Sequence, residues 1–203
     1  MSIRQASGQL KEERVKASAT KVAGTLVVLV LGSVMVAQSP SGAPPQQGTA
    51  AVPQASQRDV KTVDGIISAV YEVISGPAGQ KRDWNRFRSL FLPEARLIPT
   101  PAKPSANSGR HVLTVEEYIQ RSEPFMLKEG FFETEVSRRT EQFGNIAHVW
   151  STYESRSAPG QKPFARGINS IQLVHDGERW WVMHILWHGE SAQYPLPPKY
   201  LER

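Results

Sequence analysis

The sequence predicts an α+β fold in which three N-terminal helices pack on the concave face of a cone-shaped, curved antiparallel sheet, α-α-α followed by a β-meander. Three observations carry this expectation. Between residues 59 and 128 apolar side chains recur at helical spacing, and from Phe131 onward the period changes to two, which is the spacing of strands. Arg166 to His188 then reads RGINSIQLVHDGERWWVMHILWH, two β-branched and aromatic runs joined by Asp176-Gly177. Asp-Gly between such runs is the strongest short-range hairpin signal, because both residues tolerate the positive φ of a tight turn.

The helices have readable ends. Val60, Val63, Ile67, Val70, Tyr71 and Ile74 form one stripe, with Asp59 as cap and Gly76-Pro77 as stop, predicting a helix over 59–75. Asp83 caps a second, short helix whose Trp84, Phe87, Leu90 and Phe91 face inward before Pro93 ends it. Arg96–Ile98 is a short strand at most, and residues 99–110, with three prolines, are a long loop. Thr114 and Glu117 form a capping box that starts a third helix through about Lys128, closed by Gly130. FFETEVSRRTEQ and IAHVWSTYESR are strands joined at Gly144-Asn145, and the Asp176-Gly177 hairpin follows.

The flanks do not read as globular. Residues 1–37 place five basic side chains ahead of an apolar run over 22–37, the order of a secretory signal peptide, with an uncleaved N-terminal anchor as the alternative. Residues 38–57, rich in Pro, Gln, Ala and Ser, read as a disordered linker. Residues 58–190 form the domain and 191–203 a proline-rich surface tail. The expectation is a periplasmic or secreted protein, or one tethered to a membrane through 22–37. The net charge of +5 owes +3 to the leader, so the folded part lacks the basic stripe that nucleic acid requires. With no cysteine there is neither a disulfide framework nor a thiol nucleophile.

If the hairpin loop has two residues, paired residue numbers sum to 353 and the faces follow. One carries Gly167, Asn169, Ile171 and Leu173 opposite Trp180, Val182, His184 and Leu186. The other carries Arg166, Ile168, Ser170 and Gln172 opposite Trp181, Met183, Ile185 and Trp187.

The order of elements over 59–190 resembles the nuclear transport factor 2-like superfamily, the cone fold of ketosteroid isomerases, scytalone dehydratases and SnoaL-like polyketide cyclases. VMHILWHGE is similar to the closing strand of a ketosteroid isomerase, and the resemblance implies that Met183, Ile185 and Trp187 line a pocket. Tyr71 similarly matches that family's oxyanion-hole tyrosine. The family's catalytic acids are not matched: the base falls near Ile98-Pro99, the second acid falls on Ser170, and no aspartate lies on any predicted strand.

The expected ligand-binding set is therefore Tyr71, Arg166, Ser170, Gln172, Trp181, Met183, Ile185 and Trp187, apolar walls with a few polar groups. Arg166 either receives a carboxylate or enolate, or stacks on Trp187 and pairs with a glutamate. Tyr71 either donates to a ligand carbonyl or is a core tyrosine. Ser170 has no base on its own face, so it is a polar lining group rather than a nucleophile. His184 and His188, four apart on one strand face, are separated by about 13 Å and cannot share a metal ion. No metal and no cofactor is expected. Asn169 is expected beside His184 on the convex face, where a second copy would pack to form a homodimer. The expected function is binding of a small apolar or carboxylated molecule. The alternatives are an isomerase, dehydratase or cyclase using Tyr71, Arg166 and a histidine base on a carbonyl substrate, and a non-catalytic partner-binding module.

Overall fold

A computed structural model describes residues 51–100 and 111–202. The leader over 1–37, most of the linker and the greater part of the loop over 99–110 lie outside the described residues. Among the described residues no helix is long and apolar enough to cross a membrane.

The first predicted helix is two: α1, Gln57–Val60, and α2, Val63–Ile74. Thr62 is extended and its hydroxyl accepts from the Gly65 amide at 2.9 Å, so the cap falls there and not at Asp59. Asp59 is instead buried within α1 and paired with Arg86, whose guanidinium holds its carboxyl below the usual range. Helix α3, Trp84–Ser89, starts where Asp83 accepts from the Arg86 amide at 2.9 Å. Helix α4, Val115–Glu129, has the complete Thr114–Glu117 capping box and stops at Gly130, whose φ is 71°.

Five strands form one curved, unclosed sheet: β1 Phe91–Thr100, β2 Phe132–Phe143, β3 Ile146–Arg156, β4 Ala165–His175 and β5 Trp180–Gly189. Their order is β1-β5-β4-β3-β2. The meander β2 to β5 is antiparallel as expected, but β1 is longer than the predicted segment, precedes α4, and pairs with β5 in parallel. Pro93 lies inside β1, which an edge strand tolerates because one row of its amides needs no partner.

The hairpin register differs from the expected one. The loop has four residues, Asp176 to Arg179, because Asp176 Oδ1 accepts from the amides of both Glu178 and Arg179 at 2.9 Å. Near the turn His175 pairs with Trp180 and Leu173 with Val182, so Leu173, Trp180 and Val182 share one face as expected, but that face is the inner one and not the convex one expected. Met183 is then left unpaired in a bulge, and beyond it Gln172 meets His184, Ile171 meets Ile185 and Asn169 meets Trp187. One extra residue reverses the facing of everything after it. The inner face thus holds Trp180, Val182, Ile185 and Trp187 on β5 and Asn169, Ile171 and Leu173 on β4.

The core lies between this face and the helices, with Ile66, Ile67, Phe87, Leu90, Phe91, Val149, Ile171 and Val182 fully buried. Arg82, in a stretch expected as plain loop, is buried as well. Its guanidinium donates to the carbonyls of Ile74 (2.9 Å), Gly76 (2.6 Å), Gln80 (2.5 Å) and Pro77 (3.3 Å), satisfying the open end of α2.

The C-terminal tail lies across the outer face of the sheet. Arg139 donates to the Lys199 carbonyl at 2.9 Å, Thr152 to the Tyr200 carbonyl at 2.6 Å, and Tyr200 stacks on Trp150 with ring centroids 5.8 Å apart. A single 3-10 turn, Pro198–Tyr200, is its regular structure.

Candidate functional site

Between α4 and the inner face is a cavity of about 420 Å³. Its walls are apolar and aromatic: Val70 and Ile74 from α2, Phe87 from α3, Tyr118, Phe125 and Met126 from α4, Tyr153 from β3, Ile185 and Trp187 from β5. Phe87 stacks on Tyr118 at 5.4 Å, and Tyr118 meets Trp187 edge-on at 6.2 Å. Phe125 and Phe164, about half exposed at 48% and 52%, stand at the opening with Arg121.

The polar groups inside are few. Glu133, on β2, receives a hydrogen bond from the Ser155 hydroxyl at 2.8 Å across the β2–β3 pair. Burial pushes its carboxyl up to about 7, with hydrogen bonds from Ser155 and Asn169 opposing the rise. Its backbone is fixed by Ser75, the cap residue of α2, whose hydroxyl accepts from the Glu133 amide at 3.0 Å. Burial, reinforced by the Glu133 charge, also pushes Tyr118 well above the ordinary phenol range, and raises Tyr153 to about 12.

Tyr71 is close by but does not line the cavity. Ser151 donates its one hydroxyl proton to Glu135, so the Tyr71 hydroxyl, 2.6 Å away, donates to Ser151 and accepts from the Asn169 amide at 3.1 Å. The chain continues from Glu135 to Arg138, which grips it through Nε at 2.8 Å and Nη2 at 2.5 Å. Tyr71 therefore has no proton to offer a ligand carbonyl, and its phenol is held protonated by burial.

Of the expected set, Ile185 and Trp187 line the cavity. The others are placed elsewhere by the register. Arg166 lies toward the outer face, held by Glu190 at 2.8 and 3.1 Å and near Glu154 at 3.7 Å. Ser170 is on the outer face, 3.1 Å from His148 Nε2, and Gln172 is opposite His148 and His184. Met183 occupies the bulge. Trp181 donates to Asp176 at 2.6 Å at the turn and lies under the Arg179 guanidinium at 3.6 Å, so the guanidinium–indole contact forms there and not between Arg166 and Trp187. Asn169, expected outside beside His184, is inside and bonded to Tyr71. His184 and His188 are on the outer face. His188 Nδ1 lies 2.6 Å from the Thr100 hydroxyl, while its Nε2 and His184 Nδ1 are buried without a partner.

Glu133 is the lining group the sequence reading passed over. Period two puts Phe131, Glu133 and Glu135 on one face of FFETEV and Phe132, Thr134 and Val136 on the other. Neither face is plainly apolar, so the pattern did not say which looked inward. The signal was Phe131: an acid two residues from an aromatic on the same strand face shares its surroundings.

The chain has the nuclear transport factor 2-like fold. A candidate dehydratase of the NTF2-like family from Streptomyces avermitilis superposes on it with a TM-score of 0.50 at 18% identity, over 66% of this chain and 97% of that one. A protein with a cystatin-like fold from Caulobacter vibrioides gives 0.49 at 13% identity, over 66% and 90%. A candidate ketosteroid isomerase from Shewanella frigidimarina gives 0.44 at 13%, over 61% and 91%. No family model and no curated protein matches the sequence. At these identities the likeness is one of fold, and function has to be argued from the site.

Proposed function

We propose that this protein binds a small, largely apolar molecule in the concave cavity. The supporting observation is the cavity itself: about 420 Å³ remains open between α4 and the sheet, lined mainly by apolar and aromatic side chains. Volumes of this order suit small ligands. Native mass spectrometry of the purified chain tests it, beside Ser122→Trp, which puts an indole from α4 into the space. A bound mass or a saturable shift of tryptophan fluorescence is expected for the unmodified chain and lost in the variant. Identical spectra, with no organic probe bound at millimolar concentration, would overturn the reading.

Glu133 favours a second reading, an enzyme that moves a proton on a carbonyl compound, since a carboxyl near 7 suits general base catalysis at neutral pH. Such a reaction also needs a donor for the developing oxyanion. The two groups expected for it are engaged, Tyr71 with Ser151 and Arg166 with Glu190, and no histidine is among the described residues that line the cavity. Binding without turnover is the reading preferred.

Two further elements belong to this proposal. The chain is exported, on the basic-then-apolar order of residues 1–37, which N-terminal sequencing of the periplasmic or secreted fraction tests. It also pairs through the outer sheet face, where Trp150 and Leu186 stay partly exposed beside the tail. Light scattering that gives a monomer mass would remove that second element.

A further inference from the structure

Among the described residues lining the cavity, Glu133 is the only one with a carboxyl group. The Ser155 hydroxyl and the Asn169 amide act on it as neutral donors, and among the described residues no cation does. On β2, Arg138 is committed to Glu135 and to Asp64 at 2.5 Å. On α4, Arg121 is exposed at the opening, its Nη1 3.5 Å from His111 Nδ1. The phenols of Tyr71, Tyr118 and Tyr153, from α2, α4 and β3, are uncharged at neutral pH and are held so partly by the Glu133 charge.

The walls have the same preference as the acid. Ring faces carry the negative end of the aromatic quadrupole and attract cations. Phe131, Tyr118, Tyr153 and Trp187 all line the space into which Glu133 opens. A carboxylated guest would meet an acid inside and find the one guanidinium among the described lining residues, that of Arg121, out at the rim. A neutral guest would leave the ionised carboxylate with only the neutral donors Ser155 and Asn169. A protonated amine supplies the missing counter-charge and gains from the rings.

We propose that the cavity receives an organic ammonium ion, its apolar body against the aromatic walls and its nitrogen on the Glu133 carboxylate. This rests on the reading of the cavity as a binding site. No bond is made or broken.

Three probes with one skeleton test it by calorimetric titration of the full chain: 2-phenylethylamine, 2-phenylethanol and 3-phenylpropanoate, each at pH 8 and pH 5.5. At pH 8 the amine is expected to bind at least tenfold tighter than either analogue. At pH 5.5, where Glu133 is protonated before binding, that preference shrinks, and in Glu133→Gln it disappears at both pH values. Equal or tighter binding of the alcohol or the acid by the unmodified chain overturns the ammonium inference while leaving the cavity a binding site. An amine preference that survives in a folded Glu133→Gln chain overturns it as well. Absence of binding by all three removes this inference and the proposed function together.

Discussion

The Ser155 hydroxyl donates to the Glu133 carboxylate at 2.8 Å across neighbouring strands, and that contact, with a smaller one from Asn169, is set against the burial of a negative charge. Burial wins, and the carboxyl rises to about 7. A native pKa above the unfolded one means the folded chain binds the extra proton. Stability from this group is therefore complete below about pH 4 and is lost as pH rises through about 7. Glu133→Gln should melt above the unmodified chain at pH 8, by at most about 3 kcal/mol, with the gap closing by pH 4. Thermal melts across that range check the sign.

Arg82 should be the costliest loop residue to replace, being buried. Of its carbonyl partners, Gly76 also accepts from the Phe131 amide at 3.0 Å and Pro77 from the Gln80 amide at 3.4 Å, so Ile74 and Gln80 are the ones that depend on Arg82. Arg82→Met should cost about 3 kcal/mol in urea unfolding, since charged hydrogen bonds go and buried carbonyls are left bare. Arg82→Lys should recover little, because an ammonium cannot fork across that spread of acceptors.

Gly167 is needed for close approach. A Cβ there would sit 2.2 Å from the His188 carbonyl oxygen and 2.6 Å from the Tyr153 hydroxyl, so the ring of Tyr153 lies across bare backbone. Gly167→Ala should cost about 2 kcal/mol or more and should disturb the cavity wall with it. Urea unfolding measures the first and the tryptophan spectrum the second.

The bulge gives a paired deletion test. Removing Met183 would leave Val182 and Ile185 two places apart, in ordinary alternation, with both still facing in. Removing Leu186 from the regular stretch would turn Trp187 outward and His188 inward. The first chain should stay soluble with a near-ultraviolet tryptophan spectrum, and the second should not.

These deletions also mark where the sequence could be read and where it could not. Thr114 with Glu117, and Asp83 ahead of Trp84, are local devices whose chemistry is complete within four residues, so they were legible. The inward facing of Ile185 and Trp187 was legible too. Asn169, Arg166, Ser170 and Gln172 were assigned to the wrong faces because a bulge is a long-range compromise between β5 and its neighbours on both sides, with no local residue type that requires it. Arg82 and Glu133 were missed for a related reason: both are charged residues whose burial is decided by distant partners. The parallel β1–β5 pairing was likewise invisible, since no hairpin chemistry marks it.

That pairing governs when the molecule can be completed. β5 is the last strand made, yet it sits between β1 and β4, and it joins β1 across about 90 residues of intervening chain. While the ribosome is still translating, β1 and β4 each present a bare edge and the hollow has no floor beneath Tyr118. Contacts so distant in sequence form slowly, so the sheet stays open until β5 has emerged, and its bare edges are what a chaperone would meet first.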